Sequence, residues 1–158
     1  AWDDNPLSIA WWSLKMRYWS WRTDTYRGPE PDIRLYAEYH NSDEHGVLDT
    51  SFGLQKSRIS VIRQFTSRRM ARKNRVIVAH ELLHTLGASD KYDLGTLPVT
   101  WPEGYAEAGK SPLYPQKKAE IMGGRIPVSA SEFVMPASLE QCIVGPETAL
   151  EIGWTDNA

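Results

Sequence analysis

Residue types and spacing fit a reaction in one run of the chain, His80-Glu81-Leu82-Leu83-His84, with Gly87 and Asp90 following. Histidines four apart on a helix share a face, so one ion can sit between two imidazoles from adjacent turns. Catalytic zinc takes three protein ligands and keeps a fourth position for water. The third ligand must therefore come from outside the pair. On a continuing helix Asp90 would lie roughly 9 Å beyond His84 along the axis, too far to share the ion. Gly87 removes that difficulty. Glycine enters the left-handed region without a Cβ penalty, so it ends the helix and turns the chain back. Asp90 then meets the histidines from below. Glu81 is placed to take a proton from a water on the metal and to pass it to a leaving amine. The chemistry predicted is zinc-dependent hydrolysis, with His80, His84 and Asp90 as ligands and Glu81 as general base. An aspartate ligand leaves the site less positive than three histidines would and shifts more of the activation onto Glu81.

Other residues offer competing chemistry. Glu103, Glu107 or Glu120 would serve as third ligand if Asp90 did not, an arrangement that resembles the glutamate-ligand zinc peptidases. His40 and His45 flank the acidic pair Asp43 and Glu44 and are expected in solvent. Asp90 and Asp93 near Gly95 invite Ca2+, although their spacing does not match an EF-hand loop.

The extended pattern H-E-x-x-H-x-x-G-x-x-D resembles the signature of the metzincin metallopeptidases, in the aspartate form of the snapalysin-type members. A second stretch, Glu120-Ile121-Met122-Gly123-Gly124, is similar to the methionine turn that lies under the metal in that family. Met122 follows His84 by 38 residues, and the glycine pair gives the freedom a tight turn needs. The resemblance covers residues 76–93 and 119–125. It implies an α+β, metzincin-like fold. A small mixed, twisted sheet with an opening helix and an active-site helix would form an upper part, about 1–87. An irregular lower part, about 88–158, would hold the methionine turn and a C-terminal helix. It also implies a zinc endopeptidase acting on a protein or peptide that pairs with an edge strand, either 46–52 or 58–65. The segment 126–136 would then shape the pocket beyond the cut bond. The chain departs from the family pattern in its aspartate ligand, in having no tyrosine after Met122, and in having no evident strand before the first helix.

The elements that position these residues follow from periodicity. Asn5-Pro6 marks a helix start, and Leu7, Trp11, Leu14, Tyr18 and Trp21 recur at spacings of four and three. The stripe predicts a helix packed beneath a sheet; with Lys15, Arg17 and Arg22 beside it, a helix lying on a membrane surface is the alternative. Ile33, Leu35, Ala37 and Tyr39 alternate with polar neighbours as a half-buried strand. Strands are also expected over 46–52 and 58–65. Thr66 or Ser67 caps a helix running to Gly87. Residues 94–118 form a long irregular segment tied by Trp101, Tyr105 and Tyr114. A last helix falls within 137–154, interrupted at Gly145-Pro146.

Composition sets outer bounds. A chain of 158 residues with 41% hydrophobic residues is the size of one domain with a core of its own, taken as 1–158. Seven tryptophans point to a core built with large rings. A net charge of -2 implies no particular partner, yet from Thr50 to His80 there are eight Lys or Arg and no acid. The basic stretch 56–75 is a solvated face or a docking patch for an anionic partner: an acidic protein, a membrane surface or nucleic acid. Cys142 is the single cysteine, which excludes an internal disulfide. No signal peptide or membrane span is evident. The start at Ala1 fits a processed product or excised domain, and a secreted, periplasmic or ectodomain location is favoured. Two functions compete: a metallopeptidase, or a module that keeps the metalloprotease fold and cleaves nothing. The intact Glu81 favours the first, because a purely structural zinc site has no use for a base.

Overall fold

The computed structural model describes residues 6–41, 51–55, 58–93 and 98–156. Asn5, His45, Gly95 and most of the expected strand over 46–52 lie outside them. The architecture is α+β. Helix α1 (Pro6–Thr23) precedes a three-stranded sheet of β1 (Arg34–His40), β2 (Phe52–Leu54) and β3 (Ile59–Phe65), in the order β1-β3-β2. β3 pairs parallel with β1 and antiparallel with β2, so the sheet is mixed. Ile59, Val61 and Ile62 make β3 a β-branched run buried on both faces, as a central strand requires. That position removes one expectation. β3 has partners on both sides and cannot take a substrate strand; most of the other segment considered, 46–52, lies outside the described residues.

β1 alternates as expected but with the opposite face inward. Leu35 and Tyr39 are exposed, whereas Arg34, Tyr36 and Glu38 are half-buried. Arg34, Tyr36 and Glu38 are each paired. Arg34 Nε donates to Asp24 at 2.9 Å, Arg63 Nε to Glu38 at 2.9 Å, and the Tyr36 hydroxyl lies 2.6 Å from Ser20 Oγ. The same partners dock α1, helped by Trp19 edge-on to Tyr36. The apolar stripe of α1 is consequently not packed beneath the sheet: Leu7, Trp11, Leu14, Tyr18 and Trp21 are all exposed. Nor do the rings build the core, since Trp19, Trp101 and Trp154 are exposed as well. Among the described residues no helix is long and apolar enough to cross a membrane.

Ser67 opens the chain into a 3₁₀ turn at Arg68–Met70, its Oγ accepting from Arg69 N, and helix α2 (Ala71–Leu86) continues from it. α2 lies across β2 and β3, tied to the end of β3 by Asn74 Nδ2 donating to the Phe65 carbonyl at 2.9 Å. The lower part is irregular. Tyr105 and Tyr114 join hydroxyl to hydroxyl at 3.0 Å, while Trp101 takes no part in the core. Short pairs follow: β4 (Ala119–Glu120) parallel to β7 (Cys142–Ile143), and β5 (Ile126–Pro127) antiparallel to β6 (Phe133–Val134). The segment over 126–136 thus holds a small hairpin, with Met135 facing the cavity described below. Gly145 and Pro146 do not interrupt the last helix; they start it. Pro146 is the first residue of α3 (Pro146–Glu151), where its missing N–H costs nothing.

A core of Leu83, Ala88, Ile121 and Met122 joins α2 to the lower part, with Ala79, Cys142, Val144 and Ile152 against it. Met122 is fully buried there, worth about 2 kcal/mol of transfer free energy. This core sits directly behind the histidines of α2.

Candidate metal centre

Helix α2 ends as its sequence predicts. Gly87 has φ of 113° and ψ of 0°, its N–H donates to the His84 carbonyl at 3.1 Å, and Ala88 N–H reaches back to Leu83 at 3.0 Å. These two bonds form a Schellman motif, and only a residue without a Cβ takes that φ at no cost. The reversal places the Ala88 carbonyl 2.8 Å from His84 Nδ1. It also brings Asp90 up to the helix.

Three donor atoms converge. Asp90 Oδ1 lies 3.1 Å from His80 Nε2 and 3.2 Å from His84 Nε2, and the two Nε2 atoms are 3.1 Å apart. A metal bound tetrahedrally at 2.0–2.1 Å spaces its ligand atoms about 3.3 Å apart, so the triangle has the size one ion requires. Protonation favours the same conclusion. His80 Nδ1 faces the Ile121 carbonyl at 2.9 Å and His84 Nδ1 faces that of Ala88, so each Nδ1 carries a hydrogen and the neutral form of each ring bears its lone pair on Nε2. Both Nε2 atoms then present lone pairs to a carboxylate oxygen. Asp90 Oδ1 is buried and meets no donor at hydrogen-bonding geometry. Lone pairs crowded this way repel one another unless a cation lies between them. Among the described residues, His80, His84 and Asp90 are the one group of three able to hold a metal ion.

A proton on Nε2 relieves the same crowding where no cation does, so proton and metal compete for the site. Burial opposes ionisation of Asp90, but His80 and His84 outweigh it and hold the carboxyl far below its usual range. Burial likewise opposes a charged His84, and Asp90 outweighs that too, raising its pKa. Glu81 differs. Burial raises its pKa, and the opposing pull of the two histidines does not cancel the rise. Its Oε2 is buried with no hydrogen-bond partner.

No protein-family model, curated protein or solved structure matches this chain.

The alternative ligands stay away from the centre. Glu120 is fully buried and turned to the backbone: Oε2 accepts from Met122 N and Gly123 N at 2.7 and 2.9 Å, and Oε1 from Gly145 N and Thr148 Oγ1 at 3.0 and 2.8 Å. Neither Glu103 nor Glu107 joins the cluster. Asp93 does not join it either, and Gly95, beside which calcium was expected, lies outside the described residues. His40 is half-buried at the end of β1 and not in solvent.

Met122 occupies the predicted turn, with Gly123 N and Gly124 N both donating to the Glu120 carbonyl at 3.1 Å and Gly124 at φ 67°. The turn grips both sides of the centre: Ile121 O takes His80, and Met122 O accepts from Lys91 N at 3.0 Å. Sequence reasoning missed Tyr92. Its ring lies 6.4 Å from that of His80, and its phenol feels the charge of Asp90. Burial first, then the Asp90 charge, push the phenol up to about 12, so it remains a donor at neutral pH. The only available signal was its place two residues after the third ligand. Beside the centre lies a cavity of about 400 Å³, lined on one side by α2 and on the other by the Met122 turn and Tyr92.

Proposed function

We propose that this chain is a zinc-dependent endopeptidase of metzincin type. The observation that carries the proposal is the convergence of two imidazole lone pairs and one carboxylate oxygen beside a buried glutamate with an unsatisfied oxygen. Two histidines and a carboxylate suit zinc, and three protein ligands leave a position open for chemistry. Zinc held there would supply a Lewis acid and a water of lowered pKa. His80 and His84 keep their Nε2 lone pairs aimed at one point because the Ile121 and Ala88 carbonyls fix the ring tautomers. Glu81 takes the proton of the attacking water at Oε2. Its raised pKa makes that proton transferable to the departing amine. Tyr92 stands beside His80 and Asp90, where its hydroxyl can donate to the carboxylate. The adjoining cavity takes a side chain of the peptide.

The test pairs zinc content with cleavage of a proteome-derived peptide library by wild type and Glu81→Gln. The expected result is about one bound zinc in both proteins, with cleavage reduced 10²–10⁴-fold in the variant. Equal peptide patterns from the two would leave the non-cleaving binding module as the better account.

A further inference from the structure

We propose that the cavity beside the metal centre binds peptides presenting an apolar side chain next to an acidic one, with Lys73 and Arg125 reading the carboxylate. The inference rests on the peptidase reading only for the ligand being a peptide.

Most of the cavity wall is apolar, including Phe65, Met70, Val76, Ile77 and Met135. Three cations also line it: Arg63, Lys73 and Arg125. Arg63 is committed to Glu38 at 2.9 Å. Lys73 and Arg125 are half-buried and have no ion-pair partner among the described residues. Among the described residues Glu81 is the single acid in the lining, and its side chain belongs to the candidate metal centre. Lys73, Ile77, His80 and Glu81 follow one another at spacings that keep them on one face of α2. Lys73 stands two turns ahead of Glu81, about 12 Å along the axis, within the span of three or four extended peptide residues. Arg125 enters from the methionine-turn side, close enough for its charge to act on Tyr92. The exposed Arg68, Arg69 and Arg72 extend the same sign outward from the N-terminal end of α2. A bound carboxylate would meet two cations already partly stripped of water, beside an apolar wall that the neighbouring side chain covers. Charge-assisted hydrogen bonds of this kind change affinity roughly tenfold to a hundredfold.

The experiment has two arms. In the first, zinc-loaded Glu81→Gln protein is titrated into two fluorescent decapeptide pools. One carries Asp or Glu beside Leu, Ile or Phe; in the other Asn and Gln replace the acids. At least tenfold tighter binding of the acidic pool is expected. Adding Lys73→Gln and Arg125→Gln should erase the preference while zinc content is kept, and Lys73→Met with Arg125→Met controls for packing of the stems. Equal affinity for the pools, or no binding of either, overturns the proposal. In the second arm, wild type digests the peptide library. Cut sites enriched in acids support the proposal, and cut sites without that enrichment overturn it. If the library stays uncut while the acidic pool is still preferred, the peptidase reading fails and the carboxylate site stands.

Discussion

His80 Nδ1 lies 2.9 Å from the carbonyl oxygen of Ile121, the residue before Met122. A histidine separated from the turn by 41 residues is thereby held to it, and its ring can present only Nε2 to the centre. Glu120 holds the turn in place, its carboxylate filled by four donors from the turn and from the start of α3. Glu120→Gln keeps the shape but sets an NH2 against backbone donors. It is expected to cost roughly 3 kcal/mol in urea unfolding and to weaken zinc binding at the same time. An unchanged midpoint would show that the turn does not depend on this carboxylate.

Gly87→Ala tests the reversal that delivers Asp90. At φ 113° an added Cβ is strained, and it would also sit 2.6 Å from Gln55 Nε2. A loss of about 1–2 kcal/mol is expected, together with weaker metal binding. Chemical denaturation of the metal-free and zinc-loaded proteins separates the two effects: the gap between their midpoints should narrow in the variant.

Tyr92→Phe removes the hydroxyl proposed to donate to Asp90 and leaves the ring. Outer partners of metal ligands are worth about 10–100-fold in affinity or activity. The variant should therefore lose zinc to a competing chelator at a correspondingly lower chelator concentration, with its unfolding midpoint in the metal-free form little changed.

Acid sensitivity is expected from Glu151. Burial works against its charge, but Lys91 at 2.6 Å and Ser89 outweigh burial and lower its pKa. A depressed carboxylate stabilises the fold above its unfolded pKa, about 4.3, and that contribution fades as pH falls through the lower folded value. Metal-free wild type should lose stability below about pH 4.3 more steeply than Glu151→Gln. Parallel pH profiles would contradict the assignment.

The convergence of His80, His84 and Asp90 was legible because its logic is local. His80 and His84 need only helical spacing, and Gly87 announces the turn to Asp90. β3 was legible from Ile59, Val61 and Ile62, whose branching marks a buried strand. What failed depends on partners distant in the chain. The stripe from Leu7 to Trp21 has helical spacing, yet periodicity cannot say which face is covered, and the polar Ser20 is the buried one. In β1 the charged residues turn inward because Asp24 and Arg63 wait for them. Glu120 stayed open as a fallback ligand because its four donors come from a turn and a helix start that no short motif announces. Gly145-Pro146 was ambiguous in itself, since the same pair stops one helix and starts another.

The central claim is that His80, His84 and Asp90 hold one ion together. Crystals of the zinc-loaded protein, measured on both sides of the zinc absorption edge, test it most directly. One anomalous peak is predicted among His80 Nε2, His84 Nε2 and Asp90 Oδ1, about 2.0–2.1 Å from each. A peak elsewhere, or none in protein shown to contain stoichiometric zinc, would contradict the account.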